Sequence, residues 1–315
     1  LGAGRPCQPH LDADAGEHVN NQVDKKTGLQ LISLYGTNKK PTKSQLDGLE
    51  VLVFDIQDVG VRFYTYISTL HYVMQACAEN NIKLIVLDRP NPNGSYVDGP
   101  VLDTNFTSFV GMHPVPIVHG MTIGEYAKMI NGEGWLGNDL VTDLKIIPLA
   151  NYSHDSYYSL PVPPSPNLRS DLSIQLYPSL CLFEATTVSI GRGTEFPFEI
   201  YGHPAFKSES YSFVPKSSFG AKSPKMEGET CKGYRLSNND LSFPRKFELS
   251  FLINACQELE GQKFIETSRF FNLLAGNDVL QQQLIDHVSE EEIRASWSAG
   301  LEEYRKIRLR YLLYP

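Results

Sequence analysis

The feature that most restricts this chain is a pair of apolar runs with a helical stripe between them. Val51-Leu-Val-Phe54 and Lys83-Leu-Ile-Val-Leu87 are short, continuous and rich in β-branched residues, the pattern of strands buried in a parallel sheet. Residues 66–80, between them, place apolar side chains at 67, 70, 73, 74 and 77, the spacing of one helix face. Strand, helix and strand at this distance form a βαβ unit. Residues 29–35 read as another strand of the same sheet, 41–49 as a short connecting helix and 144–148 as a final strand. Thr122-x-x-Glu125 is a capping box that opens a helix running to about residue 131.

Residues 152–167 are rich in proline, serine and tyrosine and keep no period, so they read as a linker or cleft-lining loop. Beyond them, 247–260, 278–288 and 291–312 are amphipathic helices, the last carrying Ile293, Trp297, Leu301 and Tyr304. The expected architecture is α/β, with a parallel-sheet domain over 1–150 and an α+β domain over 151–315. A length of 315 residues suits two such domains and needs no disulfide staples.

The five cysteines, at 7, 77, 181, 231 and 256, include no C-x-x-C pair, so no zinc site is expected. Cys77 and Cys256 fall on apolar helix faces and read as core residues. A net charge of −8 argues against a general nucleic-acid binder. No apolar run reaches the roughly 18 residues of a membrane span, and the opening stretch does not read as a signal peptide.

Ligands of parallel sheets bind outside the carboxyl ends of the strands. One such end gives Asp55-Ile-Gln-Asp58-Val-Gly-Val-Arg62-Phe-Tyr64, the other Asp88-Arg89-Pro-Asn91, which gathers carboxylates and arginines on one edge. The structural alternative is that Asp55 and Asp88 only tie down loops or pair with Arg62 and Arg89. His119 sits just before the capped helix, where an anion or a neutral imidazole is well placed. In the second half, Gly191-Arg192-Gly193-Thr-Glu195 lets a backbone come close to a ligand while Arg192 offers a two-pronged donor, with Glu184 upstream. No nucleotide loop, nucleophile elbow or H-E-x-x-H motif occurs. Carboxylates, arginines, asparagines and tyrosines without a cofactor motif fit a sugar, on which Tyr64, Tyr66 or Trp135 could stack.

Several segments occurring in one order carry a family likeness. They are Leu34-Tyr-Gly36, Val53-Phe-Asp-Ile-Gln-Asp-Val-Gly60, Arg62-Phe-Tyr-Thr-Tyr66, Leu87-Asp-Arg-Pro-Asn-Pro92, Asp98-Gly-Pro100, His119-Gly-Met-Thr122, Pro164-Ser-Pro-Asn167, Gly191-Arg-Gly-Thr194 and Tyr311-Leu-Leu-Tyr314. Together they resemble the NamZ family of exo-β-N-acetylmuramidases, long known as a domain of unknown function. The resemblance implies a Rossmann-like N-terminal domain, a smaller C-terminal domain with a cleft between them, and a bacterial protein of the periplasm or cell exterior. It implies removal of terminal N-acetylmuramic acid from peptidoglycan fragments, with no cofactor or metal and a sugar or muropeptide as partner. The lactyl carboxylate of that sugar gives Arg62 and Arg192 a purpose. His119 and Tyr64 would handle or orient protons, and Asp55, Asp58, Arg89, Asn91, Asn167, Glu184 and Glu195 would complete the cleft. The family's Pro-Glu-His-Gly motif, whose Glu is the favoured acid, belongs shortly before the segment matching Asp12-Ala-Asp-Ala-Gly-Glu17. Here Arg5-Pro-Cys-Gln-Pro-His10 stands instead. Either the N-terminal domain is shortened or rearranged at its start, or the segment that carries the motif precedes Leu1; Glu17 is the nearby stand-in. Two rival readings are a sugar-binding family member without turnover, and a metal-dependent phosphoester enzyme using Asp55, Asp58 and Asp88.

Overall fold

The computed structural model describes residues 22–34, 36, 38–236 and 246–315. In chain order, β1 (Gln22–Val23) pairs antiparallel with β2 (Gln30–Leu31), and α1 (Lys43–Leu46) follows. Gln30–Leu31, within the expected 29–35 strand, thus pair back on their own neighbour β1, and Tyr35 lies outside the described residues. β3 (Val51–Phe54), α2 (Tyr66–Asn80) and β4 (Lys83–Leu87) form the expected βαβ unit. α3 (Ile123–Gly132) and β5 (Leu144–Ile147) extend it to a parallel sheet of order β3-β4-β5.

The capping box at Thr122 is formed, with its hydroxyl accepting from the Glu125 N–H and the Glu125 carboxylate accepting from the Thr122 N–H. All five stripe residues of α2 are buried. With Tyr126, Met129 and Ile130 of α3 they cover the sheet face that carries Leu52, Phe54, Leu84 and Val86. The other face carries Val51 and Val53, 43% and 53% exposed. Among the described residues this sheet is therefore covered on one face, where its continuous apolar runs predict two.

The second half starts with α4 (Asp171–Leu180), then places β6 (Ile200–His203), β7 (Tyr211–Phe213) and β8 (Cys231–Arg235) in an antiparallel sheet of order β6-β8-β7. α5 (Ser250–Glu258), α6 (Ser268–Ala275), α7 (Val279–Ile285) and α8 (Glu290–Leu309) complete it. Val59, Val61 and Phe63, which follow β3, are buried in this second core. α8 spans both cores: Ile293, Trp297 and Leu301 pack in the second and Tyr304 in the first. The two halves are thus joined by shared apolar packing, and the loop leaving β3 lies along the seam. Among the described residues no helix is long and apolar enough to cross a membrane.

Candidate functional site

The carboxyl edge of the parallel sheet divides into exposed and buried polar groups. Asp55 accepts from Arg89 at 2.7 Å (Nε) and 2.6 Å (Nη2), and both side chains are open to solvent. An exposed pair of this kind adds at most about 1 kcal/mol, so both groups stay available to a ligand. Asp88 is buried and accepts from Thr122 Oγ1 at 2.8 Å, Gly124 N at 2.8 Å and Tyr314 Oη at 2.6 Å. It ties the start of α3 and the end of the chain to β4, the structural alternative raised from the sequence.

Burial corrects four expected site residues: three ligand contacts and one proton-handling residue. Asp58 is covered, with Oδ2 accepting from Gly60 N at 2.7 Å and Oδ1 buried without a hydrogen-bond partner. Burial pushes its carboxyl up to about 7, against the opposing hydrogen bonds from Gly60 and Val59. Asn91 spends its amide internally, donating to the Met121 carbonyl at 2.9 Å and accepting from Asn93 N at 2.8 Å.

Arg62 is fully buried and donates to the carbonyls of Pro100, Val115, Leu274 and Ala275 at 2.7–3.0 Å. Leu274 and Ala275 end α6, so the guanidinium caps that helix where its carbonyls lack partners and its dipole is negative. This arginine holds the two halves together and has no surface left for a sugar. His119 is likewise buried: its Nδ1 accepts from Met121 N at 3.3 Å, its ring packs edge-on against Tyr126, and its Nε2 is unpartnered. Burial, then the charges of Arg308 and Arg62, push it down to about 3. A neutral imidazole without solvent contact cannot exchange protons with a substrate, so the proton-handling role does not fit it. Trp135 also turns inward, stacked on His113 with ring centroids 4.7 Å apart.

A second constellation brings together four expected residues from distant parts of the chain. Tyr64 donates its hydroxyl to the Pro164 carbonyl at 2.7 Å and sets its ring edge-on against Tyr66 and Tyr177. Asn167 donates to the Gly220 carbonyl at 2.6 Å, and Arg192 Nη2 reaches that carbonyl at 3.2 Å. Arg192 Nη1 pairs with Glu184 Oε1 at 3.0 Å, and the side chains stay 19% and 24% exposed. That fraction matters: this guanidinium is oriented by a carboxylate yet still borders solvent, as a ligand-holding arginine must. Asn167 itself is buried and acts by fixing the turn.

The glycines beside Arg192 serve a different purpose from the expected one. A Cβ on Gly193 would stand 2.4 Å from the Lys216 carbonyl oxygen, so the close backbone approach is to the protein itself. Glu195 is exposed on this loop, and Glu17 lies outside the described residues. Asp55, Asp58 and Asp88 do not converge, and among the described residues no group of three His, Cys, Asp or Glu could hold a metal.

The sequence reading missed the turn at 218–221. Its Phe-Gly pair between small residues is a turn signal, but nothing local shows that the Gly220 carbonyl joins Asn167 to Arg192. It also missed α4, β6–β8 and α6, the elements that support this side of the seam.

Two family models match the chain: the N-terminal part of exo-beta-N-acetylmuramidase NamZ over residues 10–172, and its C-terminal part over 175–314. The peptidoglycan beta-N-acetylmuramidase NamZ of Bacillus subtilis (strain 168) is 39% identical over 96% of this chain and 77% of its own. The crystal structure of a DUF1343 family protein from Bacteroides fragilis NCTC 9343 superposes with a TM-score of 0.88 at 46% identity, covering 94% of this chain and 82% of that one. A second DUF1343 family protein from the same organism gives 0.78 at 28% identity, over 93% and 82%. Matched through both halves in sequence and in fold, the chain belongs to the NamZ family of exo-β-N-acetylmuramidases.

Proposed function

We propose that this chain is a glycoside hydrolase that removes terminal N-acetylmuramic acid from the non-reducing end of peptidoglycan fragments. The observation that carries this reading is the 39% identity, over nearly the whole chain, to a peptidoglycan beta-N-acetylmuramidase. The half-buried Arg192, aligned by Glu184 at 3.0 Å, supplies a forked donor for the lactyl carboxylate that distinguishes muramic acid from glucosamine. Tyr64 holds the 164–167 loop against this group, Asn167 holds the turn that Arg192 also touches, and Glu195 borders the sugar from the same loop as Arg192. The Asp55–Arg89 pair lies on the exposed sheet edge and binds sugar hydroxyls. Cleavage breaks the bond between the anomeric carbon and the bridging oxygen: the leaving oxygen takes a proton from an acid, water adds its hydroxyl to the carbon, and the proton water releases restores that acid. We assign the acid's role to Glu17. Peptidoglycan lies outside the cytoplasmic membrane, so the enzyme works in the bacterial periplasm or at the cell exterior, in turnover and recycling of the wall.

The test is release of free N-acetylmuramic acid from a chromogenic β-muramide and from a muropeptide disaccharide. Turnover is expected for the protein as it stands, with Glu17→Gln lowering kcat by about 10²–10⁴-fold, the usual range for a lost general acid. Binding of the disaccharide without turnover, under conditions where the Bacillus relative cleaves it, defeats the hydrolase reading.

A further inference from the structure

We propose that Phe219, at the tip of the 218–221 turn, is the ring on which the acid sugar stacks beside Arg192. The inference deepens the muramidase reading and rests on it. Ser218 and Ala221 exchange both backbone hydrogen bonds at 3.0 Å, which leaves Phe219 and Gly220 as a tight two-residue turn. Gly220 has φ +83°, and a Cβ there would stand 2.5 Å from Pro166 Cβ, so the turn is seated directly on the 164–167 loop. Its carbonyl accepts from both Asn167 and Arg192. Two separate stretches, 164–167 and the loop carrying Arg192, therefore fix the position of this turn.

Phe219 does not share that burial. It is 60% exposed and belongs to neither large apolar core. A lone exposed phenylalanine carries no message by itself. Its place is what counts: it adjoins the peptide whose carbonyl the ligand-facing guanidinium also touches. Sugar sites combine an apolar platform for the C–H face of the ring with a few fixed polar groups that set orientation. Here the turn supplies a platform held by backbone bonds, and Arg192 supplies the polar fork. A muramyl ring lying on Phe219 directs its lactyl carboxylate to Arg192, so stacking and charge recognition select the same sugar. Fixing the backbone of the turn matters because the ring is then presented from a constant place.

The experiment uses the whole chain and three variants. With the chromogenic β-muramide, Phe219→Ala is expected to raise KM about ten-fold, the equivalent of one lost stacking contact. Its kcat should stay within about two-fold and its melting temperature should hardly move, because the exposed ring packs in neither main core. Phe219→Tyr should restore KM. In Phe219→Trp, the added indole fluorescence should change saturably on titration with N-acetylmuramic acid, and more weakly with N-acetylglucosamine, which lacks the carboxylate. An unchanged KM in Phe219→Ala, with an indole blind to the sugar, overturns the platform while wild-type turnover leaves the muramidase reading standing. Absence of both turnover and sugar binding in the wild type overturns that reading and the platform with it.

Discussion

Arg62 and Arg192 look alike in the sequence, each a lone arginine in a polar run, yet the fold gives them opposite tasks. Arg62 is fully buried and surrounded by four backbone carbonyls drawn from both halves of the chain. Arg192 keeps 19% of its side chain exposed, with the Glu184 carboxylate and the Gly220 carbonyl among its partners. Burial lowers Arg62 to about 9, still charged at neutral pH, so its charge is spent on the carbonyls where α6 ends. The difference teaches that a polar residue at a strand end is a ligand candidate only while it retains an open side. The fold consumes Arg62, Asp58, Asn91 and His119, and leaves Asp55 and Arg89 on the sheet edge, and Arg192 and Glu184 in the second constellation, exposed or half-buried.

The largest effect that tests this contrast is on stability. Arg62→Met should cost about 3–5 kcal/mol, because four buried carbonyls lose their donor together. Arg62→Lys should rescue little of that, since a single ammonium cannot serve carbonyls on two sides as a planar fork does. Arg192→Met should cost about 1 kcal/mol or less in stability while weakening turnover of the acid sugar. Urea unfolding of the three variants measures this. An Arg62→Met protein as stable as wild type would break the comparison.

Next in size is the pH dependence of stability. His71, His113 and His119 are buried and held neutral: burial, followed by the Lys40 charge, lowers His71 to about 4; burial, followed by His71, takes His113 well down; His119 falls to about 3. Between pH 6.5 and these values the unfolded chain takes up protons that the folded one refuses, so each histidine costs about 1.4 kcal/mol per pH unit on acidification. Asp58 acts in the other direction. The folded chain keeps a proton there up to about pH 7 that the unfolded chain has lost, so its contribution is complete below pH 3.8 and disappears as pH rises through 7. Asp88, also raised by burial, acts as Asp58 does. Three histidines outweigh these two aspartates, and stability should fall from pH 6 to pH 4. Asp58→Asn should steepen this fall and raise the melting temperature at pH 8 relative to wild type. Thermal unfolding at pH 4, 6 and 8 checks both, and a wild type more stable at pH 4 than at pH 6 defeats the assignment of neutral histidines.

How much of this could be read from the sequence follows the range of the interactions. The βαβ unit was legible because apolar runs and a helical stripe are local patterns, and residues 67, 70, 73, 74 and 77 are buried as their spacing implies. The capping box at Thr122 was legible for the same reason. The antiparallel sheet was not: β6, β7 and β8 are short, separated by irregular stretches, and paired out of sequential order. α4 was hidden by Pro178 in its last turn. The fate of Arg62 depended on carbonyls more than 200 residues away, and no local pattern carries that. Asn167, Glu184 and Arg192 are identifiable by chemical type, but only the fold shows that Asn167 and Arg192 meet at one carbonyl while Glu184 holds Arg192 from the other side.

The smallest effect is the sharpest on the open side of the comparison. Tyr64 was expected to handle or orient a proton, and the structure shows its hydroxyl donating to the Pro164 carbonyl at 2.7 Å with its ring set against Tyr66 and Tyr177. Tyr64→Phe keeps those ring contacts and removes the donor, so the stability loss should be about 1 kcal/mol. If the hydroxyl serves by pinning the 164–167 loop, the loosened loop carries Asn167 and the Gly220 turn with it, and KM should rise about five-fold at nearly constant kcat. A hydroxyl that itself moved a proton in the transition state would instead lower kcat by about 100-fold or more. We expect the first outcome, because a hydroxyl already donating to a backbone carbonyl must give up that bond before it can donate to the departing oxygen.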